Sequence, residues 1–135
     1  SYPDLELLVH GRVSLADYKA LLQQASVGLS LKKLGGGYAD TTFPSKTVEY
    51  AAAGLHVIST DISDVRQVLG EGATYLSSNS PRELAAAIAE AVALGPAGLE
   101  QQSRGLQDRI KCTLSFERTG RDLITFLEGA FDPRI

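Results

Sequence analysis

The stretch VGLSLKKLGGGYADTTFPSKTVEYAAAGLHVIST, residues 27–60, holds two short apolar runs on either side of a glycine-rich loop and a helix-like segment. Val27 to Leu31 and His56 to Thr60 are predicted as buried strands. Lys32 to Thr42 is predicted as a loop and Pro44 to Ala53 as a helix. Proline is tolerated in the first turn of a helix, and Gly54 follows where a left-handed residue commonly ends one. The stretch therefore predicts a strand–helix–strand unit.

The same alternation continues on both sides of this unit. Two further strands are predicted at Leu5–His10 and Ala73–Ser77. Helices are predicted from a Ser14 cap to Ala25, at Ile62–Leu69, from Pro81 to a stop at Gly95-Pro96, and over residues 99–110 and 116–131. Short strands that alternate with helices indicate a parallel sheet covered on both faces. The predicted fold class is α/β, a Rossmann-like parallel sheet flanked by helices.

Ser80, Pro81 and Glu83 form the pattern of a capping box at the start of one of these helices. In that motif the serine hydroxyl and the glutamate carboxylate each accept a hydrogen bond from the other residue's backbone N–H. We therefore predict that the Glu83 carboxylate bonds to the N–H of Ser80.

Composition excludes several classes of function. Of the 135 residues, 44% are hydrophobic and 21% are charged, with a formal net charge of −3. A chain this apolar can bury enough apolar surface to offset the conformational entropy lost on folding, so it is not a disordered tail. A net negative charge gives the chain no overall positive potential to attract phosphates, so nucleic-acid binding is not predicted. No apolar run approaches the ~20 residues that a membrane span needs.

Metal and disulfide chemistry have little support in the sequence. Cys112 is the single cysteine, and the two histidines, His10 and His56, lie 46 positions apart. Neither a disulfide pair nor the closely spaced ligands of a transition-metal site can be assembled from such a set. We predict no metal site.

Function is expected at the carboxyl ends of the strands, where parallel sheets bind their ligands. The relevant loops follow His10, Leu31 and Thr60. Gly35 to Gly37 let backbone approach a ligand closely. The helix start at Pro44-Ser45-Lys46 offers unpaired N–H groups, a positive dipole end and a lysine charge, which together suit a phosphate.

Glu49 lies within the first two turns of the same helix. A carboxylate there suits a ribose diol, as acidic residues do in dinucleotide-binding folds. Taken singly, these features also fit a mobile glycine loop, a solvated lysine and a surface glutamate that compensates the helix dipole. Both interpretations stay open from the residues alone.

The run FPSKTVEYAAAGLHVIST, residues 43–60, resembles a motif of the C-terminal, nucleotide-sugar-binding domain of GT-B glycosyltransferases, in particular glycosyltransferase family 4. Residues 9–14 and 25–29 upstream are similar to the preceding strand–helix–strand of that family. Asp64-Val65, Gly72 and residues 115–117 extend the similarity downstream. Nearly the whole chain is covered.

The resemblance implies roles for individual residues. Glu49 matches the second glutamate of the family's Glu-x7-Glu motif, which accepts hydrogen bonds from the donor ribose. The resemblance also implies that the helix start at Pro44, Ser45 and Lys46 contacts the diphosphate. It implies that the loop with Gly11, Arg12 and Val13 contacts the nucleobase. A third loop, with Gly36, Gly37 and Tyr38, is implied to contact the donor.

Two positions depart from the family pattern. Thr41 stands where the family has the first glutamate of the motif, which lies near the transferred sugar. His56 replaces the usual proline of the strand, and we expect no functional effect from it. The catalytic residue is not identified, and Lys46 and Thr41 are the candidates.

The resemblance also implies an activity: transfer of a sugar from a nucleotide-diphosphate-sugar donor to a glycan, glycolipid or glycoprotein acceptor. Transfer would retain the anomeric configuration and need no metal or cofactor. The parent protein would work in the cytoplasm, free or at the membrane face.

The absence of methionine and a start at Ser1 lead us to expect a fragment. Residues 1–135 would form a single partial domain that lacks its first βα units and the N-terminal acceptor domain, and would be inactive alone. Two alternatives stay open. One is a nucleotide-sugar epimerase or phosphorylase of the same architecture. The other is a non-catalytic nucleotide-sugar-binding scaffold, which Thr41 favours.

Overall fold

Three parallel strands form the sheet in a computed structural model that describes residues 4–37 and 41–130. Their order across the sheet is β1-β2-β3, with Val27 opposite His56 and Ile58 opposite Thr74. The strands are β1 (Val27–Ser30), β2 (His56–Thr60) and β3 (Thr74–Leu76). The helices are α1 (Leu15–Gln24), α2 (Ser45–Ala52), α3 (Val65–Leu69), α4 (Pro81–Thr113) and α5 (Phe116–Ala130), with a short 3-10 helix at Gly70–Gly72. This arrangement confirms the predicted α/β class with a parallel sheet flanked by helices.

Most predicted elements are found within a few residues of their expected ends. Helix α1 begins after Ser14, whose hydroxyl accepts the N–H of Asp17 at 3.1 Å. Helix α2 is followed by Gly54 at φ +83°, as predicted for a helix-ending glycine. Helix α3 starts three residues later than predicted because Ser63 has φ +50°, which is incompatible with a right-handed helix.

The predicted strand at Leu5–His10 is wrong. Residues 5–10 have no regular structure, and their side chains are exposed, with Leu7 and Val9 each 85% exposed. Apolar composition gives a strand only when a neighbouring strand accepts the backbone hydrogen bonds. In the described residues β1 pairs with β2 alone, so residues 5–10 have no such partner.

Helix α4 covers both faces of the sheet. Val57 and Ile58 point to opposite faces because side chains alternate along a strand. Ile58 packs with Ala87 of the first half of α4 and with Leu99 shortly after the break, while Val57 belongs to the cluster that contains Leu106 further along the second half. A straight helix cannot pack on two opposite faces. Helix α4 breaks at Gly95, which has φ +66° and ψ 175°, at the predicted stop.

The predicted capping box at α4 forms only in part. The Ser80 hydroxyl accepts the N–H of Arg82 at 3.2 Å, but the N–H of Ser80 bonds to the Ser78 hydroxyl and not to Glu83. The Glu83 carboxylate reaches further back and accepts the backbone N–H groups of Ser77 at 2.7 Å and Ser78 at 2.9 Å. Both serine hydroxyls also donate to it. The glutamate therefore organises the β3–α4 turn, residues 77–80.

None of the helices in the described ranges is both long enough and apolar enough to cross a bilayer.

Candidate functional site

Two clefts open side by side at the carboxyl edge of the sheet. The first, here the α2 cleft, lies between the end of β1 and the start of α2 and has a volume of about 530 Å³. Its lining comprises the end of β1 and one side of α2: Leu29, Ser30, Leu31, Lys32, Pro44, Ser45, Lys46 and Tyr50. Parallel strands end at the same edge of a sheet, so this is the place where an α/β fold binds ligands.

The second cleft, here the α4 cleft, has a volume of about 450 Å³ and lies over the ends of β2 and β3. Its lining comprises the three strand ends, the β3–α4 turn and the start of α4: Leu31, Lys32, Lys33, Thr60, Leu76, Ser78, Asn79, Ser80, Pro81 and Leu84. The two clefts share Leu31 and Lys32. A backbone segment of a few residues is thus their common wall.

Positive charge is concentrated at these clefts. Lys32, Lys33 and Lys46 line them, and no aspartate or glutamate stands among the described lining residues. The chain as a whole carries a formal net charge of −3. A local group of lysines in an acidic chain attracts an anionic ligand and lowers the free energy of its bound state.

The N-terminus of α2 differs from the expected row of free N–H groups. The N–H of Ser45 donates to the Phe43 carbonyl at 3.0 Å, and that of Thr47 donates to the Pro44 carbonyl at 2.9 Å. Within the described residues, the N–H of Lys46 has no acceptor. Two of the N–H groups at this helix start, those of Ser45 and Thr47, are therefore already bonded. The Lys46 N–H, the helix dipole and the lysine charge are what this helix start presents to the α2 cleft.

Glu49 is not among the residues that line the α2 cleft, but it lies one helical position before Tyr50, which does. The Tyr18 hydroxyl donates to Glu49 Oε2 at 3.1 Å, so helix α1 holds the carboxylate in place. Burial of the Tyr18 ring raises the pKa of its hydroxyl, and the hydrogen bond to Glu49 raises it further. Among the described residues, Glu49 Oε1 has no hydrogen-bond donor and stays available to a ligand.

Tyr50 reaches the cleft because Gly28 has no side chain. A Cβ placed on Gly28 would lie 2.5 Å from Tyr50 Cδ2, which is inside the contact distance of the two carbons. Gly28 of β1 is buried under the ring. A glycine at this point of the strand is thus required for the close approach of α2 to β1.

Other sequence-predicted residues lie away from both clefts or outside the description. Gly11, Arg12 and Val13 are in an irregular segment before α1 and line neither cleft. Gly36, Gly37 and Thr41 are exposed, and they too are absent from the lining of either cleft. Tyr38 lies outside the described residues. Nucleobase and donor-loop roles for these residues remain predictions.

Several lining residues were not among the sequence predictions. Lys32 follows directly on the predicted strand Val27–Leu31, so the rule that ligands bind at strand ends could have found it. Asn79 comes from a turn far along the chain, and no local pattern marks it. The described residues contain no group of three or more histidine, cysteine, aspartate or glutamate side chains that could hold a metal ion.

Comparison with known proteins identifies the family. The family model described as "Glycosyl transferases group 1" matches residues 4–93, which is 90 of the 135 residues. The matched region contains β1, α2, β2 and β3, and all the lining residues named above for the two clefts. No match is found among curated proteins. The chain belongs to the group 1 glycosyltransferases, a family whose chemistry is glycosyl transfer between a sugar donor and an acceptor.

Proposed function

We propose that the α2 cleft binds the donor, a nucleotide-diphosphate sugar, for a retaining transfer to a glycan, glycolipid or glycoprotein. The observation that carries the proposal is the lysine-lined cleft at the start of α2. Lys46 and the N-terminal end of the helix dipole both present positive charge to one space of about 530 Å³. Such a site suits a diphosphate.

The chemistry of transfer explains why positive charge is useful there. The bond between the anomeric carbon of the sugar and a diphosphate oxygen breaks, and negative charge develops on the departing diphosphate. A new bond forms between that carbon and an acceptor oxygen, whose proton passes to the departing diphosphate. Lys46 and the α2 dipole stabilise the departing group where its charge grows. We propose that no metal is needed, because these groups supply the positive charge.

Glu49 fits the ribose of the same donor. Its carboxylate is fixed by Tyr18 through Oε2, which leaves Oε1 free to accept a hydroxyl hydrogen of the ribose. A carboxylate fixed in advance loses less side-chain entropy on binding. The spacing of Lys46 and Glu49, three residues apart on one helix, places the diphosphate and the ribose contacts on adjacent turns.

A non-catalytic nucleotide-sugar-binding module is the second candidate. Thr41 favours it, because a threonine stands where the resemblance implies a glutamate near the transferred sugar. Threonine cannot supply the negative charge of a carboxylate. Both candidates predict donor binding and differ only in whether transfer follows.

Nuclear magnetic resonance titration of the chain with UDP-, GDP- and dTDP-sugars tests donor binding. We expect the backbone signals of Ser45, Lys46 and Glu49 to shift together with at least one donor. Gly105, which lies on α4 and lines neither cleft, is the internal control and should not shift. If the three α2 signals stay unmoved with every donor, the proposal is refuted.

A further inference from the structure

Asn79 pairs with the backbone of Leu34 at two points. The N–H of Leu34 donates to Asn79 Oδ1 at 2.9 Å, and Asn79 Nδ2 donates to the Leu34 carbonyl at 3.3 Å. The side-chain amide thus satisfies both polar groups of one residue, as a neighbouring strand would do. The two residues are 45 positions apart in sequence, so the pair joins two separate segments of the fold.

The turn that carries Asn79 is itself held rigidly. Glu83 accepts hydrogen bonds from the backbone and hydroxyl groups of both Ser77 and Ser78. These bonds, with that of the Ser78 hydroxyl first, lower the pKa of Glu83 to about 2. The glutamate is therefore ionised across the neutral range, and the ionised carboxylate accepts strong hydrogen bonds from the groups of the turn. Asn79 is presented to Leu34 from a fixed backbone.

The segment that Asn79 holds, residues 32–34 and here called the Lys32–Leu34 wall, begins in the wall that the two clefts share and ends at Leu34, which lines neither cleft. At one end of this segment, the N–H of Lys32 donates to Thr60 Oγ1 at 3.1 Å. At the other end, Leu34 is held by Asn79. Lys32 lines both clefts, and Lys33 lines the α4 cleft. Residues 32–34 are thus fixed at both ends, on β2 and on the β3–α4 turn.

Among the described residues that follow Leu34 directly, Gly35 to Gly37 have no comparable support. A Cβ placed on Gly35, Gly36 or Gly37 would meet no atom within 4 Å. Asn79 is therefore the final point of attachment before the three glycines. Without it, residues 33 and 34 would gain backbone freedom, which a bound ligand would have to remove at a cost in affinity.

We propose that Asn79 is a positioning residue for the donor site, which holds the Lys32–Leu34 wall in the conformation that the nucleotide-sugar needs. The residue acts through the backbone of Leu34 and does not itself contact the α2 cleft. The proposal rests on the proposed function, since it assigns the ordered wall to the binding of the donor.

Hydrogen exchange in the unliganded protein tests the attachment itself. Asn79 is the single asparagine of the sequence, so labelling of asparagine alone identifies its side-chain NH2 signal. In the wild-type chain we expect slow exchange of that NH2 group and a nuclear Overhauser contact to the Leu34 amide. In Asn79→Ala the Leu34 amide should exchange about tenfold faster, because its acceptor is gone. A freely rotating Asn79 amide in the wild type would overturn the proposal whatever the variant does.

Donor affinity tests the positioning role. Using the donor that gives the largest shifts among UDP-, GDP- and dTDP-glucose, we expect Asn79→Ala to raise the Kd about tenfold while the midpoint of thermal unfolding stays near that of wild type. Gln101→Ala is the matched control. It also removes an exposed carboxamide, but from a position on α4 that lines neither cleft, and its Kd should equal that of wild type.

The outcomes separate this inference from the proposed function. Equal Kd values for wild type and Asn79→Ala would overturn the positioning role and leave donor binding intact. Absence of binding by the wild type to all three donors would refute the proposed function and the positioning role with it. A faster Leu34 exchange with a raised Kd supports both.

Discussion

At the scale of single residues, the structure gives Glu49 an environment that the sequence does not show. The motif pointed to Glu49 as the ribose contact, and its place on α2 beside Tyr50 agrees with the predicted helix. The hydrogen bond from Tyr18 could not be predicted, because it joins side chains 31 positions apart on two helices. Local patterns predict where a side chain stands on its own element, and contacts between elements depend on packing.

The ribose role proposed for Glu49 predicts discrimination between ribose and deoxyribose. We expect the wild-type chain to bind a ribonucleoside diphosphate about tenfold tighter than its 2′-deoxy analogue, because a hydroxyl donating to a carboxylate stabilises the complex by ~1.5 kcal/mol or more. In Glu49→Gln this ratio should fall towards one. Calorimetric titration of both nucleotides measures it.

Glu117→Gln provides the matched control, since Glu117 is an exposed carboxylate on α5 that lines neither cleft. It should keep the wild-type ratio. A ratio that is the same in wild type and Glu49→Gln would remove Glu49 from the ribose contact.

At the scale of elements, the strand–helix–strand unit was predicted closely, and the exceptions have physical causes. Residues 5–10 failed to form a strand because the described sheet gives them no neighbour. The break of α4 at Gly95 was predicted from Gly95-Pro96. The sequence did not predict that α4 packs on both faces of the sheet. Sequence periodicity shows that a segment has an apolar side and does not show which face it will meet.

The β3–α4 turn illustrates the same limit. The capping-box pattern predicted a bond from Ser80 to Glu83, but the carboxylate instead binds Ser77 and Ser78. The carboxylate accepts four hydrogen bonds here, whereas a capping box would give it a single N–H donor. The carboxylate therefore adopts the position with the larger number of charge-assisted hydrogen bonds.

The Glu83 network predicts a loss of stability in acid. The pKa of Glu83 falls from 4.5 to about 2 on folding, so the folded state favours the ionised form. Its contribution is fully present above pH 4.5 and is lost as the pH falls from there towards 2. The midpoint of thermal unfolding should therefore drop more between pH 5 and pH 2.5 in wild type than in Glu83→Gln.

Glu90→Gln, an exposed change on the same helix, is the control and should follow the wild-type pH profile. If Glu83→Gln loses as much stability over this range as wild type, the turn does not depend on the ionised carboxylate.

At the scale of the whole molecule, charge and apolar surface are distributed in ways that composition alone cannot show. The chain has a formal net charge of −3, yet three lysines line the two clefts. Helix α5 is found where a helix was predicted at residues 116–131, yet its Phe116 is 89% exposed and its Phe126 is 70% exposed. The remaining described residues do not cover these side chains.

The proposed donor site is likewise a property of the assembled sheet. Lys32 comes from the end of β1 and Lys46 from the start of α2, and the parallel pairing of β1 with β2 brings α2 beside the end of β1. The sequence predicted the α2 side of the cleft through its motif. The β1 side follows from the topology, since only a folded sheet places both lysines against one cavity.

The affinity for a nucleoside diphosphate in wild type and Lys46→Gln tests the central claim most directly, because Lys46 is the full charge at the helix start. Calorimetry should show a Kd about tenfold higher for Lys46→Gln, since a charge-assisted contact to phosphate is lost. Lys111→Gln, which removes an exposed lysine on α4 away from both clefts, should leave the Kd unchanged. Equal affinities for wild type, Lys46→Gln and Lys111→Gln would contradict a diphosphate site at the start of α2.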